Sequence, residues 1–125
     1  MKRNRVYQDY LRDILDSIRD VREFIKGMKY SEFVLDKKTN YAAVKALEII
    51  GEATKNIPAS LRRKYPEVPW SKMAGIRNRL VHEYFGIDYR IVWQTITQDI
   101  PPIEPALMEM LKEYDKELFD ELNGK

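Results

Sequence analysis

The chain has 125 residues, a formal net charge of +2, one histidine and no cysteine. That length suits a single domain, residues 1–125, with one core, and the absence of thiols excludes disulfides, thiolate metal sites and a cysteine nucleophile. No stretch has the continuous apolar run of a secretory leader or a membrane span, so a cytoplasmic location in a reducing compartment is the expectation.

From Tyr7 the apolar positions Tyr7, Leu11, Ile14, Ile18, Val21, Ile25 and Met28 step by four and three, the seam of a helix packed lengthwise on others. Gly27 marks its expected end. The stretch KYSEFVLDKKTN predicts a connection with one helical turn, after which Asp36 or Thr39 caps the next helix. That helix, YAAVKALEIIGEATKNIP, places Ala42, Ala43, Ala46, Gly51 and Ala53 where another backbone can approach closely, with Leu47, Ile50 and Ile57 filling the gaps. Pro58 closes it. One short helix is expected before Pro66 and Pro69, and another from Trp70 or Ser71.

Gly86 and Asp88 then punctuate the chain, Asp88 as the cap of YRIVWQTITQDI. The prolines of PPIEP force a break, and Leu107, Met110, Leu111, Tyr114 and Leu118 define one last amphipathic helix. Residues 104–125 hold seven acids and three bases, which leaves nineteen bases against thirteen acids in the rest of the chain and permits a polyanionic partner. No strand pattern, repeat or low-complexity tract is found. The expected fold is all-α, a helical bundle of four to six helices, with additional burial from self-association.

The chemistry-bearing residues concentrate in RNRLVHEYFG, residues 77–86. On one continuous helix Met73, Ile76, Leu80 and Tyr84 would share a face, and Arg77 would fall inside that apolar arc. A guanidinium placed there needs a carboxylate, a neighbouring subunit or a bound anion, and Glu48 or Glu52 is the candidate structural partner. His82 would lie about 140° from Arg77 on a straight helix, so the two converge only where the helix ends near His82 or where two copies meet. Asn78, four residues before His82, would share its face. Arg79 and Lys72 are the candidate nucleic-acid contacts. The basic run Arg62, Arg63 and Lys64 reads first as a solvated turn and second as an extension of a nucleic-acid track. Trp70 and Trp93 fall on apolar periods and read as core. No spacing of acids and histidine suggests a metal cage, no glycine-rich loop suggests a nucleotide cofactor, and none is expected.

A histidine exchanges protons near neutrality, and an arginine stays charged with donors matched to phosphate oxygens. Together they suit transesterification of RNA without a metal. One imidazole does not conveniently serve as both base and acid, whereas a symmetric dimer supplies two. The alternative from a different class is a non-catalytic helical adaptor that binds a nucleotide or a nucleotidyltransferase through the same residues.

The segments LEIIGEATKNIP and VPWSKMAGIRNRLVHEYFGIDYRIVWQTITQDIP, and above all the Arg77, Asn78, His82 and Tyr84 pattern, resemble the HepT-like branch of the HEPN superfamily, toxins of prokaryotic toxin and antitoxin pairs. The resemblance implies a dimerising HEPN-like helical bundle with a cleft at the homodimer interface and metal-independent endoribonuclease activity through a 2′,3′-cyclic phosphate. It implies Arg77 as phosphate clamp, His82 as general acid or base and Asn78 as an orienting group. It also implies a minimal nucleotidyltransferase antitoxin as partner, with AMPylation of Tyr84 blocking the anion site. Two departures stand out: Glu83 follows the motif histidine, where a small residue is common, and DIPPIEP is proline-rich.

Overall fold

The computed structural model describes residues 6–82 and 86–124, with His82 described by its backbone. Among these the α-helices are α1 (Tyr7–Phe24), α2 (Tyr30–Leu35), α3 (Lys37–Lys55), α4 (Ala59–Lys64), α5 (Trp70–Ala74), α6 (Ile76–Leu80), α7 (Tyr89–Gln94), α8 (Ile103–Tyr114) and α9 (Lys116–Asn123). A π-helical turn, Thr95–Asp99, continues α7, and two short strands, β1 (Val81–His82) and β2 (Gly86–Ile87), pair antiparallel. The all-α class is as expected. The segments exceed four to six because Gly75 and Asp115 each divide an expected rod into a pair, and the helical turn expected before Asp36 forms a helix of its own, α2.

Helices α1 and α3 form the frame and share the most extensive helix–helix contact in the molecule. The seam residues Leu11, Ile14, Ile18 and Val21 of α1 are fully buried, as are Ala43, Leu47 and Ile50 of α3. Each such Leu or Ile contributes about 1.5–3 kcal/mol by leaving water. Asp36 caps α3 by accepting a hydrogen bond from the Thr39 backbone N–H at 3.0 Å. That bond satisfies one of the orphan donors of the helix start and holds the Asp36 carboxyl below the usual range.

Gly51 of α3 meets backbone, as its size permits. A Cβ built on Gly51 would sit 3.4 Å from the carbonyl oxygen of Met73 and 3.8 Å from that of Ala74. The C-terminal turn of α5 therefore lies directly on α3, and a side chain larger than methyl at position 51 would push it off.

At the other end of the chain, Asp115 accepts from the Leu118 backbone N–H at 3.1 Å and starts α9, so the single last helix expected through Leu118 is two helices. The acids of this region fold back onto α1. Glu104 accepts from Arg19 Nε at 2.7 Å and from Arg22, and Glu121 accepts two hydrogen bonds from Arg12. Burial raises the Glu104 pKa, but the hydrogen bonds from Arg22 and Arg19 outweigh it and hold the group below its ordinary value. The charge asymmetry of the sequence is thus partly cancelled in space. No helix among the described residues is long and apolar enough to cross a membrane.

Candidate active site

The motif segment begins on α5, where Trp70 and Met73 are buried and the Trp70 indole N–H donates to the Tyr65 carbonyl at 2.9 Å. At Gly75, with φ −91° and ψ 6°, the helix breaks, and α6 restarts at Ile76 for five residues. Ile76 and Leu80 point inward, as the apolar period requires.

Arg77 does not follow the expectation of an apolar position: it is exposed. Because Gly75 interrupts the helix, only Ile76 and Leu80 fix the inward face of α6. Arg77 is turned about 100° from Ile76, and its long stem carries the guanidinium to solvent. No ion pair joins it to Glu48 or Glu52, and Glu52 instead lies 3.2 Å from the Lys55 ammonium. Among the described residues Arg77 has no carboxylate partner.

The expected relation between Asn78 and His82 also changes. Helix α6 ends at Leu80, Val81 is extended at φ −88° and ψ 123°, and His82 belongs to β1. Asn78 is exposed on α6 and no longer shares a helical face with His82, nor does the straight-helix separation of Arg77 from His82 apply. The backbone of His82 is held by pairing with Gly86, and Val81 pairs with Ile87. This hairpin was not legible as a strand pattern because each strand is two residues long. Gly86 takes φ +74°, the left-handed region that glycine enters without a Cβ penalty. The Asp88 backbone N–H donates to the Leu80 carbonyl at 2.9 Å, which ties the end of α6 to the start of α7. Asp88 then caps α7 as expected, accepting from the Arg90 and Ile91 N–H groups at 3.0 and 3.4 Å. Tyr84, Glu83 and the direction of the His82 imidazole lie outside the described residues.

Lys72 and Arg79 converge on an acid that sequence inspection missed. Asp99 accepts from Arg79 at 2.9 Å and from Lys72 at 3.2 Å, one carboxylate oxygen to each. Burial raises the Asp99 pKa, but the hydrogen bonds from Arg79 and Lys72 reverse the effect and hold it below the ordinary carboxylate range. The available signal was the period of the helix: Val92 and Ile96 are buried, and Asp99 continues their stripe, so an acid stood where the period calls for an apolar residue. The π turn carrying Asp99 is marked by Thr95 and Thr97, whose hydroxyls donate to the carbonyls of Ile91 and Trp93 at 2.7 Å each. Among the described residues, Lys72 and Arg79 are therefore partly neutralised and Arg77 is not. No group of three or more His, Asp or Glu side chains able to hold a metal occurs among them either.

The family profile described as Ribonuclease HepT-like matches residues 14–110. A protein of Thermococcus cleftensis named "Probable ribonuclease HepT" is 45% identical over 112 residues, covering 90% of this chain and 100% of that protein. A "Putative RNase" of Methanocaldococcus jannaschii is 50% identical over 95 residues, 76% of this chain and 87% of its own length. Another "Putative RNase", from Caldanaerobacter subterraneus subsp. tengcongensis, is 46% identical over 103 residues, 82% and 92% of the two chains. No solved structure gives a significant match. With a match spanning both the α1–α3 frame and the α5–α6–β1 segment, the chain belongs to the HepT-like ribonuclease family.

Proposed function

We propose that this protein is the ribonuclease toxin of a toxin and antitoxin pair, cutting RNA in a cleft shared by two copies of the chain. The observation that carries the proposal is the contrast on α6: Arg79 is engaged by Asp99, whereas Arg77 is exposed with no carboxylate partner among the described residues. Support for RNA as substrate comes from the relatives named as ribonucleases.

In the proposed reaction one imidazole, His82 of one copy, removes the 2′-hydroxyl proton, and the 2′-oxygen attacks the adjacent phosphorus. The bond to the 5′-oxygen breaks, and the second copy's imidazole protonates that oxygen as it leaves. The products are a 2′,3′-cyclic phosphate and a 5′-hydroxyl end. Arg77 holds the non-bridging oxygens while negative charge gathers on the phosphorane, and Asn78 orients the strand. Every proton in this scheme is carried by a side chain, so activity is expected to persist in EDTA.

Neutralisation is proposed to come from a minimal nucleotidyltransferase that transfers AMP from ATP to the Tyr84 hydroxyl with release of pyrophosphate. The added phosphate would repel the RNA backbone from Arg77. The whole system is proposed to act in the cytoplasm.

The test is cleavage of a defined RNA by purified wild-type, Arg77→Ala and His82→Ala proteins in EDTA, with the mass in solution measured by light scattering. Cleavage and a dimer are expected for the wild type, and loss of cleavage for both variants. Undiminished cleavage by His82→Ala, or a monomer that still cuts, would remove the proposal. Intact mass after incubation with the transferase and ATP reads the modification of Tyr84.

A further inference from the structure

Between Ala59 and His82 the sequence holds six Arg and Lys residues and one acid, Glu67. Half of those bases, Arg62, Arg63 and Lys72, line one open groove of about 720 Å³ between α4 and α5, together with Pro66, Pro69 and Ser71. Among the described residues no carboxylate lines it. The same stretch of chain sends Tyr65 and Glu67 to a different, smaller groove, where they meet Glu109 and Glu113 of α8. The first groove thus carries cations without an acid among the described residues, whereas the second carries three acids and one cation, Lys112.

We infer that the α4–α5 groove is an RNA-binding subsite that holds the substrate strand away from the cleaved bond, with Arg62, Arg63 and Lys72 on its phosphates. The volume lies within the roughly 300–1,000 Å³ of small-ligand sites, enough for a nucleotide unit. Apolar ring faces of proline suit a ribose or base edge, and the arginine forks suit phosphate oxygens. Trp70 is not a stacking platform here, being 6% exposed with its N–H committed to Tyr65.

Two further observations favour a polyanionic strand. The Arg62 Nε is sealed from solvent and donates to no described residue, an unsatisfied donor that an arriving phosphate oxygen could relieve by drawing the guanidinium outward. Lys72 belongs both to the groove and to the Lys72–Asp99–Arg79 cluster, which joins the groove to α6, the helix that bears Arg77. This inference rests on RNA being the substrate but not on cleavage, so it is tested on RNA that cannot be cut.

The experiment measures binding of a fluorescent 2′-O-methyl RNA 12-mer, which lacks the attacking hydroxyl, to the full-length protein by anisotropy across a salt series. For Arg62→Ala/Arg63→Ala the affinity should fall several-fold, and the slope of log K against log salt should shrink by about 1.4, about 0.7 for each lost phosphate contact. Arg62→Lys/Arg63→Lys should restore the slope, and Lys116→Ala, on α9, should leave it unchanged. Should the first variant fold poorly, Arg63→Ala/Lys72→Ala, both at exposed positions, reads the same slope. An unchanged slope in either pair overturns the inference, as does a poly-glutamate peptide that competes as well as RNA of equal charge, which would assign the groove to an acidic protein. Failure of His82→Ala to stop cleavage would leave these binding results standing, so the two proposals fail separately.

Discussion

Helices α1 and α3 run eighteen and nineteen residues without a break, whereas between Trp70 and His82 the chain forms two five-residue helices and enters a two-residue strand. In the first region nearly every inward position is fully buried, and Arg12, Arg19 and Arg22 of α1 are paired across to α8 and α9. In the second, Arg77, Asn78 and Arg79 stand exposed on a helix that buries only Ile76 and Leu80. The frame supplies stability, and the broken segment holds the residues proposed for the chemistry: its interruptions leave polar groups off the face that continuous helix would have given them. Substitutions in the two regions should therefore separate stability from activity.

The largest effects should fall on the broken segment and leave the frame untouched. His82→Ala or Arg77→Ala is expected to lower RNA cleavage by about 10²–10⁴-fold. For Arg77→Ala, an exposed position, the unfolding free energy should stay within about 0.5 kcal/mol of the wild type, as chemical denaturation would show. A comparable loss of stability would place Arg77 in the frame and erase the distinction.

The converse substitution, Leu47→Ala or Ile50→Ala at fully buried positions of α3, should cost about 2–5 kcal/mol and lower activity only through the fraction unfolded. Denaturant midpoints alongside specific activity at low temperature check this. Gly86→Ala lies between the regions. It forces a side chain into φ +74° and should cost about 1–2 kcal/mol, with faster amide exchange confined to β1 and β2.

The smallest effect is the acid dependence of the ion pairs. Glu104 and Asp99 have folded pKa values below their ordinary 4.5 and 3.8, so the unfolded chain binds protons first as pH falls. Their stabilisation is complete above the ordinary values and is lost as pH drops through the depressed folded ones. Because their partners are partly solvated, the contribution is about 1 kcal/mol each. Glu104→Gln should flatten the acid limb of stability for the frame, and Asp99→Asn for the segment beside α6. Asp99→Asn should also strengthen RNA binding about two- to threefold by releasing Lys72 and Arg79, equivalent to about half a kcal/mol.

The frame was readable because periodicity and caps act locally. The seam from Leu11 to Val21, the small residues around Gly51, the Asp36 and Asp88 caps and the start of α5 at Trp70 all stand where the pattern puts them. For the candidate site the sequence offered residues on which the proposal still rests, and their geometry was misread. A helical wheel assumes an unbroken rod, and neither the stop at Gly75 nor the exit at Leu80 has a strong local signal. So Arg77 was placed on the apolar face and Asn78 beside His82. The hairpin escaped because two residues per strand cannot show alternation, and the Asp99 cluster because it joins α5 and α6 to a turn twenty or more residues away. The groove beneath Arg62 and Arg63 depends on two proline-flanked helices folding over one another, which composition alone reads as a solvated turn.

The wide turn from Thr95 to Asp99 has a consequence for sequence length. A π turn absorbs one residue more than α geometry holds and so keeps the helix faces before and after it aligned, whereas a residue lost from the regular helix ahead of it, within α7, would turn Asp99 by about 100°. Two cations would lose their clamp at once, without a charged residue having been changed. A one-residue deletion in α7 should consequently bind polyanions more tightly, and a one-residue deletion within the π turn should leave that binding unchanged.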